Sequence, residues 1–190
     1  MIGTLDLRDR MFSAIQKRLA IARLGARSLK NTSGASAIEF ALVAPIFFVL
    51  LFGVIETGII YLAQSVLQYA ANDAARLVRT GKAQTMNSAA FTSAVCNDIQ
   101  AMLSCNSNLW IDVRTYPSFA SATFPAPLNP DGTVNSAMNN YQTGSSGSIE
   151  LVRVMYTRTV ATPLLTPFLT NMANGNHLII ATAAFRNEPF

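Results

Sequence analysis

The chain has 190 residues, enough for one modest domain plus an anchor, and it is 51% hydrophobic with only 13% charged residues, which excludes a disordered polymer. Its formal charge of +4 is unevenly placed: residues 1–34 hold seven basic and two acidic side chains, and residues 35–190 hold seven basic and eight acidic ones. The positive charge therefore belongs to the start of the chain, which argues against a nucleic-acid footprint on the folded part.

Residues 1–34 scatter apolar positions such as Met11, Phe12, Ile15 and Leu19 among arginines and lysines. Two readings follow: an amphipathic helix from Asp9 to Leu24 lying on a membrane surface, or a leader that is removed. A Sec-type leader is disfavoured, because its apolar core would precede the cleavage site and here the apolar run follows Gly34. That run is uncharged from Phe40 to Ile55 and bracketed by Glu39 and Glu56. Since about 20 apolar residues cross a bilayer core as a helix, residues 35–63 are expected to span. The positive-inside rule leaves residues 1–34 in the cytoplasm and residues 64–190 outside.

A carboxylate near the end of a span needs a partner. Were the chain cut after Gly34, the new α-amino group at Ala35 of a neighbouring copy would suit Glu39. Glu56 is expected to reach water at the outer interface beside Tyr61, or else to meet a cation on another subunit. Pro45 predicts a kink or a melted turn within the span. Gly53 and Gly58 are small surfaces for close helix contact, although their spacing is not GxxxG.

The helix is expected to continue outside the membrane to about Thr80, with Val66, Ala70, Ala74 and Leu77 as its apolar stripe and Gly81 as its stop. A second helix is predicted over 87–102, with Phe91, Val95, Ile99 and Met102 on one face. Cys96 and Cys105 lie in the exported part and read as a disulfide, with two free buried thiols as the alternative. Nine residues of continuous helix would hold their Cα atoms roughly 13 Å apart, so a bridge requires the helix to end before Cys105. Strands are predicted over 109–116, 148–158 and 177–187, with Val152, Val154 and Tyr156 sharing a face. A long loop over 117–148 separates the first two strands, either a partner surface or a tolerant insertion. The Pro-broken stretch 162–169 forms a short helix or turn. Together these make an α+β fold, a small antiparallel sheet of about three strands packed on the long helix.

Reactive groups are sparse. His177, the single histidine, stands at a strand start and reads as an exposed turn residue rather than a catalytic base. Asp73, Asp98, Asp112, Asp131 and Glu150 are scattered singly, no phosphate-binding glycine loop is present, and Asp131-Gly132 is a turn. No cofactor, metal, nucleic acid or small-molecule substrate is expected, and an enzyme is disfavoured. Arg186-Asn187-Glu188 is either a contact with another assembly component or a local ion pair.

Gly34 before a small residue, then Glu39, Phe40 and a continuing apolar helix, resembles the signal of type IV pilin-like proteins. Gly53-Val-Ile-Glu56-Thr-Gly58 and the C-terminal Phe185-Arg-Asn-Glu-Pro-Phe190 are similar, more narrowly, to TadE-type minor pilins (pseudopilins) of the tight-adherence (Tad) pilus. The resemblance implies cleavage between Gly34 and Ala35 by a prepilin peptidase and assembly through Glu39, Phe40 and Glu56. Its implied partners are TadF-like minor pilins, the major pilin, the inner-membrane Tad machinery and lipid. An uncleaved single-pass protein with an exported ligand- or envelope-binding domain is the alternative.

Overall fold

A computed structural model describes residues 34–105, 107–123 and 125–190. The leader and its amphipathic helix over 9–24 lie outside the described residues. Helix α1 (Ala35–Arg79) runs unbroken through Pro45, and the expected melted turn is not formed. A turn of 3-10 helix (Lys82–Thr85) leads to α2 (Ser88–Ile99), where the Asn87 side chain accepts a hydrogen bond from the Ala90 amide as an N-cap. Strands β1 (Leu109–Tyr116), β2 (Ile149–Thr159) and β3 (Asn176–Arg186) form an antiparallel meander in the order β1-β2-β3. Between β2 and β3 lies a 3-10 turn, Pro163–Leu165, followed by the one-turn helix α3 (Thr166–Leu169). The α+β architecture is as expected.

From Val49 onward the chain forms one compact unit. Its main core joins α1, α2 and one face of the sheet. The apolar stripe of α1 is rotated from the expected one: Ala63, Leu67, Ala70, Ala71, Ala74 and Val78 are buried, whereas Val66 and Leu77 are only partly covered. The stripe is alanine-rich where it meets Ala181 and Ala183 of β3. On α2, Phe91, Val95 and Ile99 are buried as expected, but Met102 is exposed because the helix ends at Ile99. Ending there lets the chain turn back, so that Cys96 and Cys105 are bridged with their Cα atoms 5.6 Å apart.

Strand β2 is covered on both faces. Val152, Val154 and Tyr156 face the helices, and Met155, on the opposite face, packs with Met138, Met172 and Leu178 in a second core. Met138 comes from the 117–148 segment, which is thereby anchored to the sheet. Its far end also runs beside β1. The Val113 amide donates to the Asn140 carbonyl at 2.8 Å, and the Gln142 amide donates to the Val113 carbonyl at 3.0 Å. At the opposite edge, Gln64 and Gln68 of α1 donate to the carbonyls of Ile180 and Thr182 at 3.0 and 3.3 Å. Both edges of this small sheet thus have backbone groups occupied from within the chain.

Candidate assembly helix and its polar anchors

The start of α1 carries the residues singled out for processing and assembly. Gly34 stands just before the first helical residue, Ala35, and a Cβ built on it would meet nothing within 4 Å. Glu39 and Phe40 are both exposed, and among the described residues no cation lies beside Glu39. Further along the helix, Ile46, Leu50 and Val54 are also exposed. An 18-residue window of α1 is apolar enough to cross a membrane and is left entirely uncovered. Leaving so much apolar surface open is costly in water and natural in a bilayer. The single helix of this kind among the described residues fits a single-pass membrane protein.

Glu56 departs from its expectation. It does not reach water beside Tyr61, nor does it wait for a cation on another subunit. It is 3% exposed and accepts a hydrogen bond from Arg158 Nη1 of β2 at 2.9 Å. The ion pair ties the helix to the end of the central strand just where the uncharged run ends. The pairing was hidden because Arg158 follows Glu56 by 102 positions and only the register of β2 brings it back. A basic residue one position before the end of β2 was the available signal.

Two more buried carboxylates were read as scattered. Asp112 is held by Arg114 Nε at 2.8 Å and by Arg153 Nη2 at 2.9 Å, Arg153 being its direct cross-strand partner. The same arginines hold the 117–148 segment: Arg114 donates to the Ala137 carbonyl at 2.6 Å and Arg153 to the Pro125 carbonyl at 3.0 Å. This cluster is what orders a stretch rich in proline, glycine and serine. Glu150 is fully buried, and its Oε1 accepts from the Gly144 amide at 2.5 Å and from the Thr115 and Ser148 hydroxyls, each at 3.0 Å. Burial pushes its carboxyl above the usual range, against the pull of those hydrogen bonds. A Cβ on Gly144 would collide with Glu150 Oε1 and Ser148 Oγ, so glycine is required for the approach.

The C-terminal motif is bonded to the rest of the domain. Arg186 Nε donates to the Gly147 carbonyl at 2.9 Å, and the buried Asn187 donates to the Ser145 carbonyl at 3.1 Å. Glu188 pairs with Arg79 Nε at 3.2 Å, and its amide donates to the Arg79 carbonyl at 3.0 Å. Phe190 lies over Gly81, whose φ of 77° is the left-handed conformation that ends α1. The motif does form an ion pair, but with Arg79 of α1 rather than within itself.

The remaining titratable groups do not converge. His177 is half-buried rather than exposed, with Nδ1 2.6 Å from the Leu169 carbonyl oxygen. Asp98 is raised by partial burial and by the nearby charge of Asp73, and Asp131 is lowered by hydrogen bonds from Thr133 within its turn. Among the described residues no cluster of three or more His, Cys, Asp or Glu could hold a metal.

No curated protein and no solved structure matches the chain. The family model described as TadE-like protein matches residues 34–76. That match begins at the glycine preceding α1 and takes in Glu39, Phe40 and Glu56. The chain thus carries a TadE-like segment from Gly34 to Arg76, which is the family its sequence resembles.

Proposed function

We propose that this chain is a structural minor pilin or pseudopilin of a Tad-type pilus, supporting pilus biogenesis and surface adherence without catalysis. The observation that carries the reading is the coincidence of the TadE-like match with an uncovered apolar helix beginning one residue after Gly34. In this reading a prepilin peptidase cuts between Gly34 and Ala35 on the cytoplasmic side of the inner membrane. The domain of residues 64–190 is exported, and the positive-inside rule supports that orientation. Glu39 then receives the α-amino group of a neighbouring copy. Its exposure, and the lack of a partner among the described residues, favour such a role. Glu56 is already held by Arg158, so its contribution to assembly is to fix its own domain on the helix. Other minor pilins, the major pilin and the membrane machinery of the Tad system are the partners this role requires.

The test is the N-terminal residue and intact mass of the membrane-extracted chain, in wild type and in Glu39→Gln. A mature chain starting at Ala35 in both, with pilus incorporation lost in the variant, is expected. A wild-type chain that keeps leader residues would overturn processing and favour an uncleaved anchor with an exported binding domain. Full incorporation of Glu39→Gln would remove the charge-pairing role.

A further inference from the structure

We infer that the stretch Pro163–Leu169 is a second membrane contact, with Leu164 and Phe168 seated in the lipid of the leaflet on the domain's side. The inference rests on reading α1 as membrane-spanning. Leu165 packs against α1 at Gly53, where a Cβ would lie 3.5 Å from its Cδ1. Gly53 falls inside the uncharged run 40–55, so whatever packs beside it shares its depth. Between the two elements lies an open cleft of about 420 Å³, whose walls include Leu50, Val54 and Leu169. Its one hydroxyl, on Thr57, is spent on the Gly53 carbonyl at 2.8 Å.

Three properties suit this stretch to lipid. First, no charged residue occurs from Thr159 to Asn176. Second, Phe168 is 82% exposed and Leu164 is 63% exposed, although both sit on an ordered turn. Third, several of its polar groups are bonded within the stretch. Pro163 and Pro167 have no amide hydrogen, the Leu165 amide donates to the Thr162 carbonyl, and the Thr166 amide donates to that of Pro163. The Thr170 amide and hydroxyl both donate to the Thr166 carbonyl. Hydrocarbon tolerates backbone whose hydrogen bonds are made internally, and apolar elements of this kind settle roughly 5–10 Å into the headgroup–acyl boundary. The Glu56–Arg158 pair then marks the level at which the domain leaves the lipid.

The experiment places an indole at the proposed contact by Phe168→Trp, and at the span by Ile46→Trp, in the full chain. Each variant is reconstituted in phosphatidylcholine vesicles brominated at shallow or deep acyl positions, with native Trp110 as the domain reference. The expected result is loss of most of the added emission of Phe168→Trp to shallow-brominated lipid, with less loss to deep-brominated lipid. Ile46→Trp is expected to lose more to the deep label. If Ile46→Trp is quenched while Phe168→Trp answers only to aqueous iodide, the second contact is overturned and the span stands. If neither is quenched by bromine, the span reading fails and takes the inference with it. Shielding of Phe168→Trp from bromine and iodide alike, lost when protein is diluted in lipid, would mean that a second copy covers the site and would also overturn it.

Discussion

Breaking the Glu56–Arg158 pair is the sharpest perturbation of this fold. The side chains are 4% and 20% exposed and meet at 2.9 Å, so Arg158→Met leaves a carboxylate where water does not reach. Removing one partner of a buried pair costs about 3–5 kcal/mol, and the partial exposure of Arg158 sets the expectation near the lower figure. For a domain of this size that lowers the melting temperature by about 10 °C. Glu56→Gln keeps an acceptor for the guanidinium and should cost about 1–2 kcal/mol. In the double variant both charges are gone, so its loss should fall short of the summed single losses by at least about 1 kcal/mol. The assay is thermal unfolding of the full chain in detergent, followed by Trp110 emission at low and high salt. Coupling at this burial should change little with ionic strength, because screening acts mainly on exposed charges. Additive single losses, or a coupling abolished by salt, would refute the assignment of Arg158 as the partner of Glu56.

Two further outcomes follow from the same domain. Replacing both Cys96 and Cys105 by alanine should cost about 2–3 kcal/mol, read as a lowered denaturant midpoint, and the oxidised wild-type chain should be two hydrogens lighter than its reduced form. For Glu150, burial raises the folded carboxyl above its ordinary value of 4.5, so the folded state holds the proton more tightly than the unfolded one. Its contribution is complete below that ordinary value and is lost as pH rises through the folded one. The stability of wild type relative to Glu150→Gln should therefore decline from acid toward neutral pH in paired unfolding curves, and a flat or rising difference would refute it.

Local pattern carried most of the fold. Alternation placed β1 at Leu109–Tyr116, the lack of glycine and proline from Tyr61 to Thr80 carried α1 past the uncharged run, and the disulfide required α2 to end before Cys105. Side-chain destinations that depend on register were not legible. Asp112 reads as a singly scattered acid in the sequence, and Arg153 becomes its partner only when β1 and β2 are aligned as direct neighbours. The 117–148 segment looked like a loop because its order comes from arginines on the sheet and from Met138 in a second core, neither of which leaves a periodic trace. In α1 the stripe was displaced because alanines, which carry little hydrophobic signal, form its centre.

The distribution of polar contacts along α1 bears on how such a helix could hold a domain. Glu56, Gln64, Gln68 and Arg79 each reach the sheet or the C-terminal tail, and alanines fill the face between them. Hydrogen bonds and ion pairs have directional geometry, whereas an alanine surface alone resists sliding weakly. Contacts repeated from Glu56 to Arg79 therefore fix the register of helix against sheet along its length. Among the described residues before Val49 the exposed ones are apolar apart from Ser36 and Glu39. A helix built this way keeps its domain fixed at one end and offers the other to lipid or to the helices of neighbouring copies. In the proposed assembly, Glu39, which has no partner among the described residues, distinguishes those two environments, because lipid penalises a carboxylate and a neighbour's amino terminus would satisfy it.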